Sequence, residues 1–484
     1  MSDITEKSIV TNKLQSDSLG VFDVVFLVLA AVAPLTGVIV IACLGIALGN
    51  GGGMVGSFIL VTIALLMFGV GYAEMSKKLI HAGGFYAFVL KGLGRPSAMA
   101  AALVAMLGYN FFVAGAVGTS GFYMAITVNA WTGIPIPWFG WSLISVVAAF
   151  ICTRQGIAFS AKVLGLSLIL EVLILVIFDI AVLFKTGFSF DVIDTKLVFG
   201  GSMGLGLLFA ANAFVGVEAT GLFGEEARDP KKTIPRATYI AILFIGIFSA
   251  VTTWAIVSAT GVAVAKDTAM AHLETGDFVF SLSKQYLGNG LTLVMTILLL
   301  VSLFAALMAL HNSATRYLYA LGRARLLPYR LSKTKANGTP EFASIVQFSF
   351  AVIVAGLFAL FGMDPISTLV PSMTGLGTLG IVLLQCTAAL SIVVYFRKTK
   401  DKRYLKTLVA PVIGFIALLN VVVMAFVHFP TMAGSDNPVI GMLPLLLLVA
   451  IIFGYFYGYH LKRNRPEIYL KLSEDLDQID LPQR

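Results

Sequence analysis

Fifty-eight consecutive residues between Arg95 and Arg154 carry no charged side chain. A single membrane crossing needs only about 20 apolar residues, and Gly-Ile-Pro-Ile-Pro at 133–137 supplies a turn that divides the stretch. Apolar runs of this kind recur along the 484 residues, of which 58% are hydrophobic and 12% charged. Since charged residues make up about a quarter of an average soluble domain, the sequence predicts an all-α polytopic membrane protein.

Twelve transmembrane helices are predicted, near residues 22–48, 54–77, 97–129, 138–153, 161–184, 199–224, 237–261, 288–320, 342–362, 366–395, 408–429 and 438–460. With an internal N-terminus, 29 of the 33 Lys and Arg residues fall in cytoplasmic segments. The four outside are Lys185, Lys196, Lys266 and Lys284. Because positive charge marks cytoplasmic loops, we expect a multi-pass protein of the plasma (bacterial inner) membrane with both termini in the cytoplasm.

The chain is predicted to have two tails around its membrane region. Residues 1–20 lack the basic segment and short apolar core of a cleaved signal peptide and are interpreted as a cytoplasmic tail. A core at 21–396, two peripheral helices at 397–461 and a cytoplasmic tail at 462–484 follow. The lipid bilayer is an expected partner, whereas the sequence has no basic, aromatic-interleaved module for nucleic acid.

Motifs typical of enzymes lie inside the predicted spans. A dinucleotide-type glycine pattern at 375–380 has no strand before it, and glycines in membrane helices permit close packing. The five His and three Cys show neither HExxH nor CxxC spacing, which argues against a metal site. A membrane-embedded enzyme is a remote alternative, a channel lacks a recognisable filter, and no cofactor is predicted.

Two predicted spans are interrupted at corresponding places in the two halves of the core. Ala-Pro-Leu-Thr-Gly at 33–37 breaks the first, because Pro34 lacks an N–H and clashes with the preceding turn. Gly216 relaxes the sixth. Unwound backbone in a bilayer is tolerated only where it faces protein or a wet cavity, so a matched pair of breaks indicates the binding site of a secondary transporter. If five spans at 21–184 form one unit, 197–396 repeats it upside down.

Three motifs carry a family resemblance. They are Gly-Tyr-Ala-Glu-Met at 71–75 with Ala-Gly-Gly-Phe-Tyr at 82–86, the helix-six run at 210–218 with the loop at 225–237, and the helix-eight region at 311–323 with Leu-Pro at 327–328 and Thr-Pro at 339–340. On these the chain resembles the amino acid–polyamine–organocation permeases over nearly its whole length. The resemblance implies a LeuT-like core of five plus five inverted-repeat helices, with helices 1 and 6 broken, and alternating access around a central site.

The resemblance also implies how a substrate is held. Its carboxylate would meet amides at the break of helix 1, because helix starts attract anions, and its ammonium would meet carbonyls of helix 6. By position, the predicted substrate-binding residues are Thr36, Gly37, Val38, Asn212, Ala213, Phe214, Val215 and Gly216. Phe214 is the predicted gate. Pro34 removes one amide donor, which leaves open a substrate without a carboxylate, such as a polyamine or another organic amine.

Glu171 lies in helix 5 where many proton-coupled relatives carry a Lys. An ionisable group inside a span usually marks a pathway or a proton relay. We therefore expect Glu171 to carry a coupling proton and to exchange it near His311, the alternative being a hydrogen-bonded acid without a transport role. Asp179, two turns farther along the same helix, is interpreted as a solvated group.

Pro34, Tyr109 and Glu218 are candidates for a gate or pathway, and Glu218 either lines the cytoplasmic pathway or bonds to neighbouring backbone. Glu225 and Glu226 are interpreted as part of a solvated, ion-paired loop. The predicted function is secondary active transport of a small amino acid, by H⁺ symport. Na⁺ coupling, exchange, and an amine substrate are the alternatives, and no oligomeric state is predicted.

Overall fold

The computed structural model describes residues 17–80, 84–155, 157–273, 275–433 and 438–471. Most of the predicted N-terminal tail, residues 82 and 83 of the helix-two motif, and the C-terminal tail beyond 471 lie outside the described residues. The described part is helical and contains no strand; one isolated bridge pairs Leu19 with Ala227.

The apolar helices are numbered in chain order. They are α1 (Val21–Leu48), α2 (Gly51–Ser76), α3 (Arg95–Thr132), α4 (Trp138–Thr153), α5 (Ile157–Thr186), α6 (Met203–Phe223), α7 (Pro230–Thr260), α8 (Phe278–Arg323), α9 (Glu341–Leu360), α10 (Pro365–Lys398), α11 (Leu405–Val427) and α12 (Leu445–Asn464). Within the described ranges, eleven are long and apolar enough to cross a membrane. The exception is α4, whose 16 residues extend about 24 Å.

Shorter helices lie in the connections. They are Gly51–Gly53 at the start of α2, Phe85–Leu93, Asp191–Ile193, Thr195–Val198, Ala265–Ala271, Tyr329–Ser332, Phe429–Met432, Pro438–Gly441 and Pro466–Lys471. Two of them pack against the long helices. Phe85–Leu93 packs beside α3 and α10, and Ala265–Ala271 packs on the second half of α1.

Helix α1 is two half-helices joined at Ala33. The first half, Val21–Val32, ends because Ala33 adopts a left-handed conformation with φ 50° and ψ 78°. Pro34 then opens the second half at its first position, where a missing N–H removes no helical hydrogen bond. The second half continues as a π-helical segment, Gly37–Ala42, and a final α-helical segment, Cys43–Leu48.

Helix α6 is interrupted in the same way. Met203–Asn212 is α-helical, residues 213–216 form turns, and Val217–Phe223 is a 3₁₀-helix. Gly216 has φ 113°, and a Cβ built on it would lie 3.0 Å from the Cβ of Ala31. The two interruptions therefore lie against each other, and a side chain at position 216 would be strained by this φ and tight against α1.

The packing sets a central group of helices apart from two peripheral ones. Helix α3 packs against α8, α10 and α12, while α5 packs against α1, α7 and α8. In α11 and α12, only 28% of the residues in the most apolar stretch are buried inside the protein. Their outer faces carry large apolar side chains, as at Ile416 and Phe456, which suits contact with lipid.

Candidate functional site

A cavity of about 60 Å³ lies where the two interrupted helices meet. Its walls come from α1, α3, α6, α8 and α10, and are largely apolar. The polar side chains in the lining are Thr36, Thr119, Asn212 and Thr374. None of the described residues that line this cavity is ionisable.

The cavity lining includes some of the predicted substrate-binding residues and omits others. Thr36, Gly37, Asn212 and Val215 line it. The lining does not include Val38, Ala213, Phe214 and Gly216. Phe214 is 1% exposed and packed in the core. The substrate role of all eight residues stays a prediction.

The lining residues on α3, α8 and α10 are not among those that the sequence predicts. Thr119 on α3 and Thr374 on α10 bring hydroxyl groups, and Phe112 and Leu303 bring apolar walls. No local motif marks these positions. They reach the cavity because of how each helix is rotated about its axis, which the nearly uniform apolar pattern of a membrane helix does not encode.

The break in α1 presents fewer free amides than its sequence suggests. The Gly37 N–H already donates to the Ala33 carbonyl at 2.8 Å. The Thr36 hydroxyl lies 3.2 Å from the Ser302 hydroxyl. The start of the second half-helix is thus hydrogen-bonded to α8 as well as facing the cavity.

Glu171 connects α5 to α8 close to the cavity. Its side chain is 1% exposed and accepts from the hydroxyls of Ser167 at 2.7 Å and Ser302 at 2.6 Å. Ser302 in turn lies 3.2 Å from the Thr36 hydroxyl of α1. Ser167 lies four residues before Glu171, so helical spacing could have identified this partner from the sequence.

His311 belongs to a separate polar cluster. It lies nine residues beyond Ser302 along α8, which is about 13 Å along the helix axis. Its imidazole bonds to Gln347 and Ser344 of α9 and stacks on Phe348 with ring centroids 3.6 Å apart. The structure therefore does not bring His311 and Glu171 within hydrogen-bond reach of each other.

Glu218 bonds to the interrupted backbone of its own helix. Both carboxyl oxygens accept from the Gly216 N–H, at 3.0 and 3.1 Å. Tyr109 donates from α3 at 2.6 Å and Gln385 from α10 at 3.3 Å. Of the two interpretations left open by the sequence, the backbone bond is present. Neither Glu218 nor Tyr109 lines the cavity, whereas Pro34 is buried within the α1 break beside it.

The comparisons with known proteins agree with this architecture. A family model described as amino acid permease matches residues 19–454. This chain belongs to the amino acid permease family. The resemblance drawn from the three motifs is confirmed, and members of this family are transporters rather than enzymes.

Similar proteins include permeases for several amino acids. The branched-chain amino acid permease BcaP of Bacillus subtilis (strain 168) is 26% identical over 478 residues, covering 92% of this chain and 94% of that protein. The histidine permease HisP of Lactococcus lactis subsp. cremoris (strain MG1363) is 28% identical over 282 residues, 57% of this chain and 56% of HisP. The lysine-specific permease LysP of the same strain is 25% identical over 283 residues, 56% and 53% of the two chains.

One end of the permease is closed by ion pairs. Arg316 on α8 forms two hydrogen bonds with Glu226, at 2.7 and 2.8 Å, and Arg323 forms two with Glu225, at 2.6 and 3.0 Å. The backbone of Leu19 bonds to the same loop. The prediction of a solvated loop is wrong for Glu226, which is 2% exposed, because α8 supplies a guanidinium that the loop sequence does not reveal.

The opposite end of the permease holds a second cavity of about 230 Å³. Val40 and Val370 line both cavities, so the two adjoin. Tyr123 and the segment after Ala265–Ala271 complete its wall. The central cavity therefore has open space on one side and buried ion pairs on the other.

Proposed function

We propose that this permease carries a small apolar amino acid across the bacterial plasma membrane by alternating access, coupled to H⁺. The observation that carries the proposal is the uncharged cavity at the junction of the two interrupted helices. Unwound backbone there offers amide and carbonyl groups that no bilayer lipid could satisfy. Such groups suit the two charges that every free amino acid has.

The two half-helix ends would hold the substrate's charges. The start of the second half of α1, at Thr36, faces the cavity and favours a carboxylate. The end of the first half of α6, at Asn212, favours an ammonium group. The Gly37 N–H already donates to the Ala33 carbonyl within the helix. We therefore assign the Thr36 amide and hydroxyl to the carboxylate.

The walls favour an apolar substrate side chain. Val40, Ile41, Phe112 and Leu303 line the cavity, and a second ammonium, as in lysine or a polyamine, would lack a charged partner there. Burying an unpaired charge is costly. This supports an amino acid over the polyamine or organic-amine alternative. Two of the similar proteins, HisP and LysP, are named as permeases for histidine and lysine. Membership of the family therefore does not decide the substrate.

Glu171 is the group we assign to the coupling proton. It accepts from one hydroxyl of α5 and one of α8, and the α8 donor, Ser302, also lies 3.2 Å from the Thr36 hydroxyl beside the cavity. Adding a proton changes how many donors the carboxyl group can accept from. A ligand shifts a conformational equilibrium by its differential affinity for the two states, so protonation would couple to movement of α1. A Na⁺ ion held by the same oxygens is the competing assignment.

Helix contacts support the inverted repeat. If helix n in the first half corresponds to helix n plus five, the contact of α3 with α10 corresponds to that of α8 with α5. Likewise, the contact of α1 with α7 corresponds to the contact of α6 with α2. All four contacts are present, together with the self-corresponding pairs α2–α7 and α3–α8. We propose twelve spans on this basis, with α4 as the counterpart of α9.

Substrate competition in proteoliposomes tests the proposed function. We expect unlabelled leucine, valine and isoleucine to inhibit counterflow of labelled leucine, with lysine and putrescine having little effect. Temperature-sensitive, saturable counterflow would separate a carrier from a channel, and recovery of unchanged leucine would exclude an enzyme. Inhibition by putrescine but not by any amino acid would contradict the proposal.

A further inference from the structure

A groove on the membrane-facing surface, separate from both cavities described above, lies between α5 and α7. It offers about 510 Å³ and is lined by apolar side chains with one exception, Asp179. Phe184 is 77% exposed, Ile247 is 61% exposed and Ile180 is 53% exposed. Since these side chains face outward from helices that cross the bilayer, the groove opens towards lipid chains.

Asp179 is a buried acceptor with an unused oxygen. Its side chain is 5% exposed, so the expectation of a solvated group is wrong. Oδ2 accepts from the Thr252 hydroxyl of α7 at 2.8 Å. Oδ1 has no hydrogen-bond partner among the described residues. A buried carboxyl oxygen without a hydrogen-bond donor is destabilising. A ligand in the groove that donates a hydrogen bond to Oδ1 would remove this cost.

The depth of Asp179 in the bilayer indicates where that donor comes from. Its partner Thr252 lies two residues before Trp254 on α7, about 3 Å along the axis. The Trp254 indole donates to the Ser189 carbonyl at 2.7 Å and packs against Phe188 and Phe190. Trp rings concentrate at the membrane–water interface. Asp179 thus lies at the level of the lipid headgroups and the first acyl carbons.

We propose that this groove binds a phospholipid with a primary-amine headgroup, phosphatidylethanolamine in type. The ammonium donates a hydrogen bond to Oδ1 of Asp179, and an acyl chain packs against Ile247, Phe248 and Phe184. A carboxyl group complements an ammonium and repels an anionic glycerol phosphate headgroup. A trimethylammonium headgroup has the positive charge but no N–H to donate. Of these three headgroups, only the primary amine both attracts the carboxyl group and donates a hydrogen bond to it.

Lipid titration of the purified, delipidated full chain tests the site. Native mass spectrometry would follow binding of palmitoyl-oleoyl phosphatidylethanolamine, phosphatidylcholine and phosphatidylglycerol, which share acyl chains. We expect the ethanolamine lipid to bind about tenfold more tightly than the other two, as for one charge-assisted hydrogen bond. Asp179→Asn removes this preference. Asp267→Asn, an exposed carboxyl at the same end of the molecule, retains it.

A second pair of variants keeps the test decisive if Asp179→Asn fails to fold. Ile247→Trp fills the groove from its exposed side and should abolish the preferred binding. Ile240→Trp lies two turns away on the same face of α7, outside the groove, and should leave binding unchanged. Equal affinity for the three lipids, or an unchanged preference in Ile247→Trp, overturns the proposal.

Discussion

Glu171 shows how one residue can link a cavity to the rest of a membrane bundle. Its two donors come from α5 and α8, so its hydrogen bonds depend on the relative placement of these helices. The Ser302 hydroxyl also lies beside Thr36 at the cavity. A change at Glu171 therefore reaches the cavity through a single intervening side chain.

Glu171→Gln should uncouple the transporter without destroying it. The amide keeps the shape of the side chain, since its oxygen can accept from one of the two serine hydroxyls and its NH₂ can donate to the other, but it cannot carry the coupling proton. We expect leucine uptake driven by a pH gradient in proteoliposomes to fall to the level seen without a gradient, while counterflow exchange persists. Glu467→Gln, an exposed residue near the C-terminal end of the described chain, is the matched control. Gradient-driven uptake that survives in Glu171→Gln would rule out the proton assignment.

The sequence predicted the residues that interrupt α1 and α6, but not the residues of other helices that line the cavity with them. Pro34 and Gly216 are recognisable because their backbone chemistry is local. Thr119 and Thr374 are ordinary helix residues until α3 and α10 are placed. Nothing in their neighbourhoods along the chain distinguishes them from the many hydroxyls that bond to their own helix, as both of these do.

The interrupted helices depend on stabilising contacts from their neighbours. In α6, Glu218 accepts the Gly216 N–H and is held by Tyr109 of α3 and Gln385 of α10. In α1, the Thr36 hydroxyl lies 3.2 Å from the Ser302 hydroxyl of α8. The interrupted helices are thus held by side chains of their neighbours, and in α6 a carboxyl group satisfies a backbone N–H that lipid could not.

The Arg316–Glu226 pair should contribute strongly to closure of its end of the bundle. The two side chains are 5% and 2% exposed, and removing one partner of a buried pair typically costs about 3–5 kcal/mol because a charge is left unpaired. We expect Arg316→Leu to lower the thermal unfolding midpoint in detergent. The double variant with Glu226→Leu should recover most of the loss.

Arg323→Leu provides the comparison within the same element. Its pair with Glu225 is 19% exposed on both sides, so water screens the remaining charge and the loss should be smaller. If the Arg316 and Arg323 variants were equally destabilised, or if the double variant gained nothing over Arg316→Leu, the closure would not depend on the buried pair.

At the scale of the whole molecule, charge and cavities favour the same orientation. The end closed by the Glu225 and Glu226 pairs carries most of the Lys and Arg residues, and the adjoining cavity of about 230 Å³ lies at the other end. If the basic end lies in the cytoplasm, as the distribution of Lys and Arg predicts, this conformation is shut towards the cytoplasm and has space on the external side.

Cysteine labelling tests this orientation. In a background with Cys43, Cys152 and Cys386 replaced by Ala, Asp267→Cys and Asn337→Cys each place one thiol at an exposed position on opposite ends of the bundle. In right-side-out vesicles, a membrane-impermeant maleimide should label position 267 at once and position 337 only after lysis. The reverse pattern would invert the proposed topology.

The sequence by itself determined the class of protein, the family and the places where two helices break. Those properties follow from local composition: apolar runs long enough to span a bilayer, and Pro or Gly where a helix cannot continue. Only the tertiary structure decided which side chains line the cavity, that Glu226 and Asp179 are buried, and that Glu171 and His311 lie in separate clusters. These contacts join residues far apart in sequence, such as Glu171 and Ser302, through helix rotations that uniformly apolar faces leave unspecified.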